Sequence, residues 1–229
     1  RERDALVSSA VWEAVMSGAT GMALSPRSSV FQCPEALAAY TGAAVDVNRL
    51  APIVMAFQNA PEEVAVLFSD ASEIMDDGVP HLESAQFAFE GASFAGFPVR
   101  YLTENQIQEG GLAGIKVLIL PSTMAVPDTT FTEISRFVEE GGMVARVGTP
   151  IPYNEKGQSR SDVIRATGNT VLVRGMNLPT EYLHAMDAAL VGGTLPEIVR
   201  PVNAHGYPLE GVRSRYVTHE GESYLYIIN

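Results

Sequence analysis

Cysteine is almost absent from this sequence, because Cys33 is the only one among 229 residues. A single thiol excludes an internal disulfide and any zinc site built from several cysteines. It leaves the compartment open, because many secreted proteins also lack disulfides. The sequence therefore fits a soluble protein of either the cytoplasm or the exterior.

Positive charge is also scarce, with 15 lysines and arginines against 27 acidic residues and a formal net charge of −12. Nucleic acids and anionic membranes both require basic surfaces, so neither is predicted as a partner. No apolar run approaches the roughly 20 residues needed to span a bilayer. The chain begins with Arg1 and has no signal-peptide pattern, so we expect a piece of a longer protein.

Motifs that hold nucleotides or activate nucleophiles are missing as well. No G-x-G-x-x-G follows a predicted strand and no Walker loop occurs, so no nucleotide or other cofactor is predicted. The serine-hydrolase motif G-x-S-x-G is absent. No predicted strand is followed by the cysteine nucleophile that class I glutamine amidotransferases need. A hydrolase of that kind is therefore the weakest interpretation of the sequence.

Histidines and acidic residues are present, but their spacing favours solvent exposure over chemistry. The four histidines lack metal-ligand spacing and are interpreted as surface residues: His81, His184, His205 and His219. A glycosidase needs two carboxyl groups about 5–10 Å apart across the sugar. The acid pairs here are adjacent residues expected to face solvent: Glu62-Glu63, Asp76-Asp77 and Glu139-Glu140. We predict no metal site and no catalytic pair.

The clearest positive signal is a strand–helix–strand unit within residues 116–150. Residues 117–120 read VLIL, which is typical of a strand buried on both faces, and Pro121 ends it. Asp128 is predicted to cap the following helix. After Gly141-Gly142 a second strand begins. Because the connections are short, the two strands are expected to be parallel, with a right-handed crossover.

Similar patterns before and after this unit extend it into one sheet. Further strands are predicted at 64–70, 99–102 and 170–173, with helices at 81–95 and 179–190. The fold class is therefore α/β, a flavodoxin-like doubly wound parallel sheet of about five strands in the order 2-1-3-4-5.

The flanking regions have a different character. Before the sheet, a helix is predicted at 4–17, a short strand at 20–24 and a helical turn with a loop at 34–42. A helix at 46–57 contains a proline that lies in its first turn or kinks it. After the sheet, alternation around Glu220-Gly221 predicts a β-hairpin.

Polar residues follow the predicted strands and form a candidate ligand crevice: Ser69, Asp70, Ser122, Thr123 and Thr149. Ligands of open parallel sheets bind at the carboxyl ends of strands. The alternative is that these side chains only cap helices and turns.

A candidate interface lies on the helix at 81–95. Phe87, Phe94 and Phe97 are predicted to lie away from the Leu82–Phe89 face that should pack on the sheet. Apolar patches of that kind usually mark an interface. The alternative is that the N-terminal segment of residues 1–60 or the C-terminal hairpin covers these rings within one chain.

Taken together, several segments resemble one known family. The segments VAVLFSD, FPVRYLTENQI, AGIKVLILPST and ISRFVEEGGMVA follow the middle domain of glycoside hydrolase family 42 β-galactosidases. That domain is called the trimerisation domain and is similar to class I glutamine amidotransferases without their cysteine. The flanks agree, since VWEAVMSGATGMALSPRSS resembles the last step of the family's TIM barrel. The segment GVRSRYVTHEGESYLYIIN resembles the start of its β-sandwich.

The resemblance implies three domains: residues 1–60 as the end of the barrel, 61–193 as the trimerisation domain and 194–229 as the start of the sandwich. The family's two catalytic glutamates would lie before Arg1, so this chain should be inactive alone. Ser25 and Arg27 would lie in a loop near the sugar site. The implied partners are further copies of the chain, as a trimer, and the carbohydrate substrate of the parent enzyme. A small-molecule-binding domain remains the alternative.

Overall fold

A computed structural model describes residues 2–22, 32–75, 80–147, 151–161, 164, 170–173 and 178–229. These residues divide into two compact units, one of residues 1–60 with 215–229 and the other of residues 61–214. Within the described residues, no helix is long and apolar enough to cross a membrane.

The larger unit is built on one parallel sheet of five strands. The strands are β1 (Val64–Phe68), β2 (Val99–Thr103), β3 (Val117–Leu120), β4 (Met143–Val147) and β5 (Thr170–Val173). Their spatial order is β2-β1-β3-β4-β5, and every pairing is parallel. The predicted fold class and strand order are confirmed. Leu118 and Ile119 are fully buried, as their apolar run predicts.

Helices cover both faces of this sheet. They are α4 (Asp70–Ile74), α5 (His81–Phe94), α6 (Glu104–Gln108), α7 (Asp128–Glu139) and α8 (Pro179–Val191). Successive strand residues point to opposite faces, so Val64, Val66 and Ile119 pack with α5 and α8. Ala65 and Leu118 pack with α6 and α7 on the other face.

The contact between α5 and α8 depends on small residues. Ala85, Ala88 and Ala92 of α5 are fully buried in the shared core. A Cβ atom built on Gly91 would come within 2.0 Å of the carbonyl oxygen of Pro179 and 2.8 Å of the Tyr182 Cβ. Only glycine fits at that position, and the two helices are therefore closely packed.

The smaller unit contains three helices and a hairpin. The helices are α1 (Glu2–Met16), α2 (Pro34–Arg49) and α3 (Ala51–Gln58), and the hairpin is β6 (Arg213–His219) with β7 (Glu222–Ile228). Met16, Val54 and Phe57 form its core, against which Tyr224 and Tyr226 pack. The predicted turn is present, with φ of 51° at Glu220 and 84° at Gly221, as a two-residue hairpin turn requires.

Two predictions for the smaller unit are wrong. Residues 34–42 belong to helix α2, and the predicted helix at 46–57 is interrupted at Leu50, where α2 ends and α3 begins. Pro52 lies in the first turn of α3, where its missing N–H costs no hydrogen bond. Residues 20–22 form no strand, and the rest of the strand predicted at 20–24 lies outside the described residues.

Candidate functional site

Ser69 is the centre of the polar cluster at the carboxyl ends of the strands. It follows β1 and caps α4, because its Oγ accepts a hydrogen bond from the Ser72 amide at 3.0 Å. The same Oγ lies 2.6 Å from Glu104 Oε1 and 2.9 Å from the Ala125 carbonyl oxygen. Ser69 is fully buried, so these contacts replace water.

Ser72 links α4 to the segment that follows β3. Its hydroxyl donates to the Ala125 carbonyl oxygen at 2.7 Å and accepts from the Met124 and Ala125 amides, each at 3.1 Å. The one proton and both lone pairs of this hydroxyl are therefore used. A fully occupied, buried hydroxyl of this kind fixes the backbone of the segment rather than binding a ligand.

His81, at the start of α5, is buried, so its interpretation as a surface residue is wrong. Its Nε2 accepts from the Ser69 amide at 2.9 Å, and its Nδ1 lies 2.8 Å from the Pro121 carbonyl oxygen. This pattern assigns the neutral tautomer with the proton on Nδ1. The ring therefore joins the ends of β1 and β3. His184 and His205 are exposed, as predicted.

Ser122 and Ile151 adopt unusual backbone conformations near these strand ends. Ser122 has a φ of 40° and Ile151 a φ of 43°, both in the left-handed region that favours glycine. Ile151 is β-branched and fully buried, so its conformation is maintained by the core around it. The Ser122 hydroxyl contacts the Ser84 hydroxyl at 2.8 Å.

Glu104 brings a half-buried carboxyl group to the cluster. Burial raises the pKa of this carboxyl above its ordinary value of 4.5, and repulsion by Asp70 and Glu155 acts in the same direction. Hydrogen bonds from the Ser69 hydroxyl and the Ala71 amide act in the opposite direction. The balance makes Glu104 easier to protonate than an ordinary glutamate.

A loop after β4 packs over this cluster. Tyr153 pairs with Ala125 in a parallel bridge, and its amide donates to the Met124 carbonyl oxygen at 3.1 Å. Arg160 donates to the Val126 carbonyl oxygen at 2.6 Å and to the Tyr153 carbonyl oxygen at 3.2 Å. Its guanidinium carbon lies 4.5 Å from the centre of the Phe131 ring, a cation–π contact.

Asp128 does not cap α7, which corrects the prediction for this residue. The N-cap position is Pro127, and no side chain caps the helix there. Asp128 lies inside the first turn, where its negative charge suits the helix dipole. Its carboxylate pairs with Arg160 and so holds the loop after β4 against the helix.

The predicted ligand residues have different surroundings. Ser69 and Thr123 are buried, Ser122 is partly buried and Asp70 is exposed. Thr149 lies outside the described residues, as do Ser25 and Arg27 of the predicted sugar loop. The buried hydroxyls bond to one another and to backbone, which is what the capping interpretation predicts. Sequence reasoning missed Ser72, His81, Ser84 and Glu104.

This geometry does not form a nucleophilic triad. Ser122 has the strained conformation of a nucleophile turn, but the nearest hydroxyl partner is Ser84, which is not a base. Both nitrogens of His81 are bonded to backbone groups. Within the described residues, Ser122 therefore has no base as its hydrogen-bond partner, and the carboxyl of Glu104 contacts the buried Ser69, which is held by backbone groups on its other sides.

The predicted interface rings are not exposed, which corrects their assignment. Phe94 is 8% exposed and Phe97 is 3% exposed, both in the core shared with α8. Phe87 is partly buried and packs against the same core. Their surroundings come from one chain, as the alternative interpretation held, but they are supplied by the core shared with α8, which that interpretation did not name. Phe94 and Phe97 therefore offer almost no surface to another molecule, whereas Phe87 keeps a partly exposed ring.

Leu82 and Phe89 lie seven residues apart on one side of α5, next to its buried face, and Phe89 also packs against the core. Leu82 is 42% exposed, so the prediction that it packs on the sheet is wrong. Seven residues on, Phe89 stacks on Tyr101 of β2 with ring centres 5.2 Å apart. Tyr101 is 39% exposed and also contacts Phe68 edge-on, at 6.5 Å. We call Leu82, Phe89 and Tyr101 the edge patch, because β2 ends the sheet.

Acidic residues outside the cluster have structural partners. Glu63 pairs with Lys116 at 2.7 Å, and Glu62 lies 3.9 Å from Arg100. Glu140 lies 4.0 Å from Arg136. Asp76 and Asp77 lie outside the described residues. No group of three metal-ligating side chains occurs in the described part of the chain.

Similar proteins are found by comparing structures, but not by comparing sequences. No protein-family model and no curated protein matches this sequence. The apo exo-carrageenase GH42 from Bacteroides ovatus is similar over 99% of this chain, with a TM-score of 0.76 and 16% identity. A β-galactosidase from Bacillus circulans sp. alkalophilus is similar over 85% of the chain, with a TM-score of 0.55 and 13% identity.

Both solved structures are much longer than this chain, which spans 32% of the exo-carrageenase and 39% of the β-galactosidase. Identities this low establish a shared fold. The predicted resemblance is therefore confirmed at that level: the chain has the fold of the corresponding part of glycoside hydrolase family 42 enzymes and related β-galactosidases.

Proposed function

We propose that this chain is a non-catalytic assembly segment of a multidomain glycoside hydrolase of the β-galactosidase type. The observation that carries the proposal is the match of almost the whole chain to one continuous fold in a GH42 exo-carrageenase. The chemistry would be the retaining, two-glutamate mechanism, supplied by residues outside this chain. Its carbohydrate would be the substrate of the parent enzyme.

The same proposal assigns a role to each part of the sequence. Residues 1–60 would be the end of a catalytic TIM barrel, 61–193 the trimerisation domain and 194–229 the start of a β-sandwich. The polar cluster supports a structural role for the sheet, because its buried groups bond to one another and to backbone.

We assign the assembly surface to the edge patch instead of Phe87, Phe94 and Phe97. Leu82 and Tyr101 expose large apolar surface that a second copy of this chain would bury. Tyrosine is enriched at interfaces, because its ring is apolar and its hydroxyl can find a partner. The hydroxyl of Tyr101 already contacts the Ala85 carbonyl oxygen at 3.3 Å, which holds the ring in place.

Sedimentation across a concentration series tests the assembly role. The unmodified chain should associate, and a Leu82→Glu/Tyr101→Glu double variant should remain monomeric, because both substitutions place charge on the contact. Val191→Glu is the matched control, since Val191 is 83% exposed at the end of α8. It should associate like the unmodified chain. A chain that stays monomeric at every concentration contradicts the assembly role.

An activity measurement tests the other half of the proposal. The purified chain should not hydrolyse nitrophenyl β-galactoside or other aryl glycosides, because the catalytic glutamates are placed outside it. Turnover that is lost when a single internal carboxylate is changed to its amide would place the active site inside this chain and overturn the proposal.

A further inference from the structure

The hydroxyl of Ser69 has two hydrogen-bond acceptors beside it but only one proton to donate. It accepts from the Ser72 amide, and it lies within hydrogen-bond distance of two acceptors, Glu104 Oε1 at 2.6 Å and the Ala125 carbonyl oxygen at 2.9 Å. A serine hydroxyl has one proton. When Glu104 is ionised, the hydroxyl donates to the carboxylate or to the carbonyl, but not fully to both.

One added proton satisfies every group in this arrangement. A protonated Glu104 donates its O–H to Ser69 Oγ, and Ser69 then donates its own proton to the Ala125 carbonyl oxygen. A protonated carboxyl keeps acceptor lone pairs, so Glu104 can still accept from the Ala71 amide. The separation of 2.6 Å suits an O–H···O bond in either direction. Protonation therefore adds a hydrogen bond between the ends of β1 and β3.

We propose that Glu104 and Ser69 form a proton-dependent latch on the segment that follows β3. The latch is closed when Glu104 is protonated and weaker when it is ionised. Its effect reaches the loop after β4, because Ala125 and Tyr153 pair there and Arg160 bonds to both segments. The protonation state of Glu104 therefore changes how stably the loop after β4 is held at the strand ends.

Within the described part of the chain, the charges around Glu104 favour its protonated form. Asp70 on α4 and Glu155 on the loop repel its ionised form, while Lys156 beside Glu155 is exposed. Glu73 on α4 is turned toward α5, where it accepts from the Leu82 amide. His81 reaches Glu104 only through Ser69, whose amide bonds to Nε2.

The direction of the pH effect follows from the raised pKa of Glu104. A folded-state pKa above the unfolded value means that the folded protein binds the proton more tightly. Protection by the latch is complete below a pH of about 4.5, which is the pKa of Glu104 in the unfolded chain. The protection is lost as the pH rises through the pKa of Glu104 in the folded protein. Between these two pKa values, the equilibrium constant for opening of the latch changes by up to about tenfold per pH unit.

Amide hydrogen exchange of the whole chain at several pH values between 4 and 7 tests the latch. The matched variant is Glu104→Gln, whose amide donates to Ser69 and accepts from Ala71 as the protonated acid does. Wild-type and variant rates are compared at equal pH, so that intrinsic exchange cancels. The probes are the Ala125 and Tyr153 amides, and amides of α8 serve as the reference.

The latch predicts equal protection of the two proteins at pH 4 and several-fold faster exchange of the wild-type probes at pH 7, with no difference in α8. In Ser69→Ala, where the hydroxyl is missing, the probes should lose this pH dependence. In Glu155→Gln, the transition should move to lower pH, because one repelling charge is removed. A pH-independent ratio between wild type and Glu104→Gln, or a dependence that survives in folded Ser69→Ala, would overturn the proposal.

Discussion

The two faces of α5 differ in a way that reverses the expectation from hydrophobicity. The inner face consists of Ala85, Ala88, Gly91 and Ala92, all buried against the sheet and α8. Beside this face lie the larger side chains of Leu82, which is 42% exposed, and Phe89, which is partly buried. In the middle of the helix the small side chains are therefore more buried than the large ones, while Phe94 at its end is buried as well.

The difference shows that close approach, rather than side-chain size, decides which face of α5 is inside. Small residues allow α8 to come close enough that even a Cβ atom at Gly91 would clash with Pro179. Dispersion contacts between closely packed backbones stabilise such a pair without large side chains. The large outer residues are then available for another role, which we assign to assembly.

The largest effect is expected beneath the inner face, at Ile119. This residue is fully buried in the core that α5 covers. Ile119→Ala should lower the free energy of unfolding by about 2–5 kcal/mol, because it removes buried methyl groups and leaves a cavity. Ile74→Ala, at a position 84% exposed, is the control and should change little. Urea denaturation measures both, and a cost below about 1 kcal/mol at Ile119 would contradict a central position for β3.

The next effect concerns the contact between α5 and α8. Gly91→Ala should lower the free energy of unfolding by about 1–3 kcal/mol, because the new methyl group forces the helices apart. Gly42→Ala in α2 is matched to it, since no atom lies within 4 Å of the added Cβ there. That control should gain about 0.5–1 kcal/mol from helix propensity. Urea denaturation measures the change in the free energy of unfolding for both variants. Changes of opposite sign support the packing account, and a stabilised Gly91→Ala would refute it.

A smaller effect is expected at the strand ends, where Glu104 contacts Ser69. Because the pKa of Glu104 is raised, its contribution to stability is present at acid pH and declines as the pH rises past about 4.5. Glu104→Gln should therefore be at least as stable as wild type at pH 7, with the advantage disappearing near pH 4. Urea midpoints at both pH values check this, and a variant that is less stable at pH 7 would contradict it.

The smallest effect on stability is expected at the edge patch. Leu82→Glu and Tyr101→Glu should each change the monomer's free energy of unfolding by less than about 1 kcal/mol, because both side chains are already partly hydrated. Thermal unfolding at low protein concentration measures this. A large loss in either variant would mean that the edge patch supports the fold of a single chain.

The strand order was predictable from the sequence because it rests on strong, local signals. Buried parallel strands read as continuous apolar runs, as in residues 117–120, and their order follows from short connections. Helix α2 was missed because its buried residues include only Ala36 and Ala43, which give little periodic signal. On α5 the burial of Ala85 and Ala92 agrees with the predicted face, but the exposure of Leu82 and the burial of Phe94 do not, because a hydrophobic pattern does not show how α8 packs on the helix.

The polar cluster was predictable only in part. Ser69 and Ser122 follow strands, so the strand-end rule identifies them. Glu104 directly follows β2, so the same rule applies to it although it was not singled out, whereas His81 begins a helix that comes after β1 and α4. Their approach depends on the tertiary crossovers, which no local pattern encodes. A buried imidazole can be neutral and hydrogen-bonded to backbone, so its sequence position alone did not distinguish it from a surface histidine.

Hydroxyl-radical footprinting across protein concentration tests the central claim, that the edge patch is the assembly surface. The oxidation of Tyr101 and Leu82 should fall as the chain associates, because a second copy would cover them. Val191 and Ile74, which are 83% and 84% exposed, should react equally at all concentrations. Association that leaves Tyr101 and Leu82 as reactive as in the monomer would contradict the assignment.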